Sequence, residues 1–560
     1  VINKLMCIVV VLTATTTLSV ASEDNPNAQI DNNAYAGDVP AYTEQAISAG
    51  IDHRYTGPWE YFVGGGVATL DCNGDRLPDL YIAGGSDQAK LYINESAPSG
   101  ELTFRYFKQT STDLTKVLGS YPADIDNDGI LDLVVLRLGE NVLLKGGPDC
   151  SFTKVNAAYA FDGGRAWTTA FSASYPNDAD YPTLAFGNYV DRAAPGSPWG
   201  TCEDNRLVKH EATNDKKSER PQYKQNLPLS PGHCSLSMIF TDWNKSGRDD
   251  LRITNDRHYY RDGQEQLWHV GGRYPRQYTS SEGWERLVIW GMGIAEADLD
   301  ADGFPEYALT SMGDTKLQKL NTLEASEENR PAYTDEAWGM GATAHRPYVG
   351  DDLKPSTGWH ASFRDVNNDA RQDLFIAKGN VERMDDFAAF DPDNLLLAGH
   401  DGNFHEQGEV AGIAKDTRGR GASIADLNAD GLLDIVVVNR DADVSLFRHT
   451  GMHSEFGPRV GGNWMKVELK QQGQNHFAVG ARLSLKSGNH IQTRRIQIGG
   501  GHASGEIGFV HFGLGVAERA TLRVQWPDGE WSAPYQLFAN QHVVVSRDSD
   551  QVLQWFPPTK

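Results

Sequence analysis

Six stretches of this chain share one nine-residue pattern, D-x-[DN]-x-[DNS]-x-x-x-[DE], and each runs into a short apolar segment. Oxygen-bearing side chains fall at positions 1, 3, 5 and 9. They are Asp71, Asn73, Asp75 and Asp79; Asp124, Asp126, Asp128 and Asp132; Asp242, Asn244, Ser246 and Asp250. The second three sets are Asp298, Asp300, Asp302 and Glu306; Asp365, Asn367, Asp369 and Asp373; Asp426, Asn428, Asp430 and Asp434. Hard oxygen ligands packed this densely suit Ca²⁺, which takes roughly six to eight of them. Position 7 would add a backbone carbonyl, from Leu77, Ile130, Arg248, Phe304, Arg371 and Leu432. The pattern predicts about six Ca²⁺ sites. Each would use its ligands within one hairpin, so the ions are expected to be structural.

An EF-hand shares the first half of this motif but needs a bidentate Glu at position 12 and flanking helices. Position 12 here is Ile82, Val135, Ile253, Leu309, Ile376 and Val437, aliphatic in every copy. The following runs, such as Ile435-Val-Val-Val438, are β-branched and too short for helices. The loop is therefore read as joining two strands. First aspartates lie at 71, 124, 242, 298, 365 and 426, so one gap, 118 residues, is double the rest. Inside it, residues 173–188 align with the repeat but carry Ser174, Pro176 and Pro182 in place of acids. The mean period is about 59 residues, the size of a four-stranded propeller blade. Such a unit cannot bury both faces alone, which predicts radial stacking. The expected fold is all-β: a seven-bladed β-propeller over residues 41–455.

These repeats resemble FG-GAP/VCBS repeats, the blades also used by integrin α-subunits. Gly358-Trp-His-Ala-Ser-Phe-Arg-Asp365 and Gly419-Arg-Gly-Ala-Ser-Ile-Ala-Asp426 are similar to blades of the cartilage acidic protein family, in a bacterial member. The resemblance implies one Ca²⁺ per loop, most strongly at Asp124, Asp298 and Asp426. It is weaker where Arg76 and Ala370 replace the position-6 Gly, and where Ser246 replaces an acid. Residues 456–550 alternate apolar and polar positions, as in Asn463-Trp-Met-Lys-Val-Glu-Leu-Lys470, and are read as a small β-sandwich. Val479-Gly-Ala-Arg482, Gly499-Gly-Gly-His502 and Val524-Gln-Trp-Pro-Asp-Gly529 resemble the ASPIC/UnbV domain that follows FG-GAP repeats in that family. Residues 551–560 are expected to be a tail. Gly64-Gly-Gly66 and Gly499-Gly-Gly501 are read as loop or bulge glycines.

Residues 1–21 combine Lys4, a short apolar run and a small-x-small end, the pattern of a secretory signal cut after Ala21, with an arm over 22–40. The protein is expected outside the cytoplasm, secreted or periplasmic, with no transmembrane segment. An even four cysteines then remain, and a Cys202–Cys234 disulfide is expected, with Cys72 and Cys150 left open. Lys plus Arg is 51 against 75 Asp plus Glu, a net charge of −24 that argues against nucleic-acid partners. His258, Tyr259, Tyr260, Trp290, Trp359 and His360 are candidates for a ligand face. The expected role is an extracellular recognition or adhesion module that binds a protein or polysaccharide. The alternative is a carbohydrate-active enzyme, a lyase or hydrolase, on the propeller face.

Overall fold

A computed structural model describes residues 37–197, 200–211, 220–323, 329–343, 354–382, 384–388, 391–454, 460–547, 549 and 552–558. The expected signal, residues 1–21, and most of the arm lie outside them. The short runs flanking the acidic loops are strands buried on both faces, which fits their near-continuous apolar and small-residue content. Among the described residues they form seven sheets with a four-stranded meander, six of them built from strands consecutive in the chain. The inner strands are Val67–Leu70, Val117–Ala123, Thr168–Ser174, Ser235–Thr241, Gly291–Ala297, Gly358–Arg364 and Gly419–Ala425. Each packs beside the next, and the seventh returns to the first, so the sheets close into a ring.

Closure is interlocked. The seventh sheet takes its outermost strand, Pro40–Glu44, from the start of the described chain, paired antiparallel with Ser445–Met452. The third sheet, Thr168–Ser174 onward, occupies the double gap between acidic loops. Its hairpin carries no acid set, yet its strands pair as in the other sheets. Six of the seven inner strands shift register against their neighbours near their N-terminal ends, a bulge that bends them at the ring's centre.

The C-terminal sandwich has two four-stranded sheets, one built on Asn463–Lys470 and the other on Arg482–Ser487. Met465, Val467 and Leu469 alternate into its core against Phe512, Leu522 and Val545. The intervening Trp464, Lys466 and Glu468 face the propeller. Val552–Trp555, expected as tail, forms a fourth strand beside Gln541–Ser546. Its hydrogen bonds to that strand explain why it is ordered. The disulfides are Cys72–Cys150, which joins the first and second blades, and Cys202–Cys234.

One segment of the sandwich leaves it altogether. Residues 496–509, between two of its strands, pass into the centre of the ring and touch all seven inner strands. Ala173 N–H donates to the Ile498 carbonyl at 3.2 Å, and Gly500 N–H to the Met238 carbonyl at 2.8 Å. Gly501 N–H donates to Ile294, Ser120 N–H to Ala503, and Val67 N–H to the Ser504 hydroxyl. His502 N–H donates to His360 Nδ1 at 3.0 Å, and Ser423 Oγ to Glu506. Gly505–Glu506 pairs parallel with Ala68–Thr69 as a fifth strand of the first sheet. The glycines are needed for close approach. A Cβ on Gly66 would stand 1.8 Å from the Ala503 carbonyl oxygen.

Candidate metal centres and the covered face

All six acidic hairpins share one turn, set by the motif itself. The position-1 carboxylate accepts the backbone N–H of position 6 in every loop, from Arg76, Gly129, Gly247, Gly303, Ala370 and Gly431, at 2.8–3.1 Å. Positions 4 and 6 both have positive φ throughout. Arg76 and Ala370 adopt φ of 63° and 75° despite their Cβ, at a cost of roughly 1–2 kcal/mol each. The position-9 carboxylate accepts the N–H of position 2 in five loops, from Cys72, Ile125, Leu299, Val366 and Leu427. Its other oxygen takes an N–H from the third strand, as Asp132 does from Gly146 and Asp434 from His449. Position 9 is thus a latch tying three strands together.

The loop at Asp242 departs from this scheme. There the Trp243 indole and the Tyr278 hydroxyl donate to Asp250, at 2.7 and 2.8 Å. Ser246 supplies no carboxylate for the position-7 N–H, which Asp75, Asp128, Asp302, Asp369 and Asp430 accept in the other loops.

The donor set fits a hard divalent cation. Ligand oxygens of Asp124, Asp126 and Asp132 lie within 4.8 Å of one another, as do those of Asp298, Asp300 and Asp302. Among the described residues, the buried oxygens Asp126 Oδ1, Asp298 Oδ1 and Asn428 Oδ1 have no hydrogen-bond partner. An unpartnered buried acceptor is costly, and a cation is one way to satisfy it. Burial also pushes the carboxyl groups up: Asp124 and Asp298 to about 6, Asp79 and Glu306 to about 8. Neighbouring carboxylates add to the rise.

The structure adds basic side chains that the motif does not announce. Lys145 Nζ, from the third strand of the second blade, bonds both Asp126 and Asp128. Lys319, from the third strand of the fifth, lies 2.7 Å from Asp300. Each stands thirteen residues beyond position 9, a spacing that could have been read from the sequence. The sandwich supplies others. Lys466 is 3.0 Å from Asp426 and Arg482 is 3.0 Å from Asp242, while the sandwich's Glu468 pairs with the loop residue Arg76 at 2.8 Å. At Asp426, burial alone would raise the carboxyl, but Lys466 and His542 more than offset it and hold it below the usual range. The sandwich therefore docks on the face that carries the acidic hairpins. A cavity of about 260 Å³ remains at this seam, lined by charged side chains such as Arg364, Arg494, Glu296 and Glu506 and by apolar ones such as Ile294, Phe363 and Phe509.

The candidate ligand-face residues do not form one ring. His258 packs edge-on against Trp290 and Tyr259, at 4.9 and 5.6 Å between ring centroids, and Tyr260 follows in the same loop. Tyr259 is 52% exposed and Trp290 40%. Antiparallel strands alternate in direction. Loops between second and third strands, and between blades, therefore emerge opposite the acidic hairpins. This aromatic group lies on that uncovered side. Trp359 and His360 are buried at the ring's centre instead. Trp359 packs on His502 with Arg420 over its ring at 4.2 Å, and burial lowers both His360 and His502 to about 3.

Residues 71–135 and 365–437 match the FG-GAP-like repeat, and residues 471–552 match the ASPIC and UnbV family. Cartilage acidic protein 1 of Homo sapiens is 32% identical over 251 residues, covering 40% of this chain and 36% of that one. Its counterpart from Xenopus tropicalis is 33% identical over 122 residues, covering 20% and 17%. The matched region spans little more than a third of the first relative and less of the second. Among solved structures, BBS1N in complex with ARL6DN is similar, with TM-score 0.39 and 9% identity, covering 71% of this chain and 94% of that one.

Proposed function

From a chain that carries FG-GAP-like repeats and a C-terminal ASPIC and UnbV domain, we propose an exported, calcium-stabilised recognition or adhesion module. The observation that carries this reading is the common geometry of six acidic hairpins, three of which hold a buried oxygen with no partner. Calcium at these loops neutralises carboxylates that otherwise repel one another at the blade edges. Asp, Asn and Glu side chains at positions 1, 3, 5 and 9 hold the ion, and its role is to stiffen hairpins. The sandwich covers that side and residues 498–506 fill the channel, so partner binding belongs to the opposite side. There the exposed rings of Tyr259 and Trp290 offer flat apolar surfaces suited to stacking on a sugar or packing against a protein.

Metal content of the purified protein, with melting curves in calcium and in chelator, tests the first half. Binding of extracellular polysaccharides and proteins by wild type and by a Tyr259→Ala/Trp290→Ala variant tests the second. Absence of calcium, or a melting curve indifferent to chelator, removes the metal half. Binding that survives loss of both rings removes the surface half.

A further inference from the structure

The six acidic loops do not face equal surroundings. Strand register identifies one position on the third strand that overlooks each loop. In the second and fifth blades Leu133 pairs with Leu144 and Tyr307 with Gln318, and the next residues are Lys145 and Lys319. In the first and sixth blades Leu80 pairs with Tyr92 and Leu374 with Leu396, so the same place is held by Ile93 and Leu397. Lys145 Nζ bonds the carboxylates of positions 3 and 5 together, and Lys319 Nζ bonds position 3. These are the oxygens a divalent cation needs. In the loop from Asp71 to Asp79 the hydrogen bonds to the three carboxylates come instead from backbone N–H groups and the Asn73 side-chain amide.

We propose that Lys145 and Lys319 are tethered counter-ions, competing with the divalent cation for the loops of the second and fifth blades. The inference rests on the calcium reading above and ranks the loops within it. An ammonium already seated on the carboxylates must leave before an ion can enter, so these two loops bind more weakly than that at Asp71. The order is the reverse of the one the count of acids suggests. Both stems are partly exposed, 32% for Lys145 and 41% for Lys319, so the ammonium can swing into water without unfolding the hairpin. In calcium-poor surroundings the lysines stabilise the hairpins themselves. When calcium rises, the ion takes over and frees two positive charges at the blade edge.

The test compares wild type with Lys145→Met/Lys319→Met, which keeps the stems and removes the charges. Calcium itself is the probe, titrated calorimetrically into chelator-stripped protein, with melting curves in chelator and in excess calcium. The expected result is tightening of two of the sites by roughly fivefold, about 1 kcal/mol. The variant should also melt lower than wild type in chelator and gain more from calcium. Lys319→Met alone repeats the measurement at the more exposed lysine, should the double variant fold poorly. Identical isotherms in wild type and variant overturn the proposal, as does an equal melting loss in chelator and calcium. If neither protein takes up calcium, the calcium reading itself falls, a distinguishable failure.

Discussion

His502 Nε2 accepts a hydrogen bond of 3.1 Å from the backbone N–H of Gly64, joining the C-terminal domain to the first blade across 438 residues of sequence. The other ring nitrogen, Nδ1, then donates to the Leu236 carbonyl at 3.1 Å in the fourth blade. The ring is neutral because burial holds its pKa near 3. A single side chain of the sandwich thus satisfies backbone groups in two blades at the centre of the ring.

Removing that ring should therefore weaken the whole molecule. His502→Ala leaves the Gly64 N–H and the Leu236 carbonyl without partners and opens a gap beside Trp359. The expected loss is roughly 2–4 kcal/mol. Gly501→Val should be as damaging, since a Cβ there would meet His360 Cε1 at 2.2 Å and φ is +56°. Calorimetry checks this, and wild type should melt in one transition because the inserted segment ties sandwich to propeller. Two well-separated transitions in wild type would show that the insertion does not couple them.

The ring of sheets was legible because oxygen ligands at fixed offsets constrain a hairpin, and their spacing counts the blades even where one, around Ser174, has lost its acids. The inserted segment was not. Gly499-Gly-Gly501 and Gly64-Gly-Gly66 each read as local turns, yet at the ring's centre Gly64 and Gly66 meet His502 and Ala503, just beyond the first run. Their partners are main-chain atoms of five different blades, which leave no side-chain signature. Trp359 and His360 were misleading for the same reason: aromatic residues beside glycine look like a binding face until the channel they line is found filled. Lys145 and Lys319 share a thirteen-residue spacing from position 9, but only strand register shows that this spacing sets them over the loop.

Arg420 is a second central support. Its guanidinium is wholly buried and donates to the carbonyls of Phe62, Gly419, Asn380 and Val381, linking the first, sixth and seventh blades. Lysine cannot reproduce this fork, having three donors on a single atom. Arg420→Lys should cost about 3 kcal/mol or more by stranding several buried carbonyls. Urea unfolding checks it, and a loss under about 1 kcal/mol would mean water replaces the fork.

The two disulfides should differ in what they support. Cys72–Cys150 closes 78 residues and Cys202–Cys234 closes 32, worth about 4–5 and 3–4 kcal/mol by loop entropy. Cys72 is position 2 of the first acidic loop, and its N–H donates to Asp79. Cys72→Ser/Cys150→Ser should therefore also weaken calcium binding at that loop, whereas Cys202→Ser/Cys234→Ser should leave it alone. Parallel calcium titrations of the two variants decide the matter. Equal affinities would confine the first disulfide to a purely entropic role.

Calcium and pH should act against each other in a defined window. Folding raises Asp124 and Asp298 to about 6 and Asp79 and Glu306 to about 8, all chiefly through burial. Unfolded carboxyls titrate near 4, so the metal-free native state holds more protons than the unfolded chain across this range. Stability from these groups is fully present below about pH 4 and is lost as pH rises through 6 towards 8. Calcium needs the ionised carboxylates, so its binding releases protons and compensates that loss. The melting temperature in chelator should fall between pH 5 and 8 while that in excess calcium holds, so the gap widens with pH. Calcium titrations near pH 7 in buffers of different ionisation enthalpy should report net proton release. A gap that stays constant from pH 5 to 8 would mean that these carboxyls do not hold the ion.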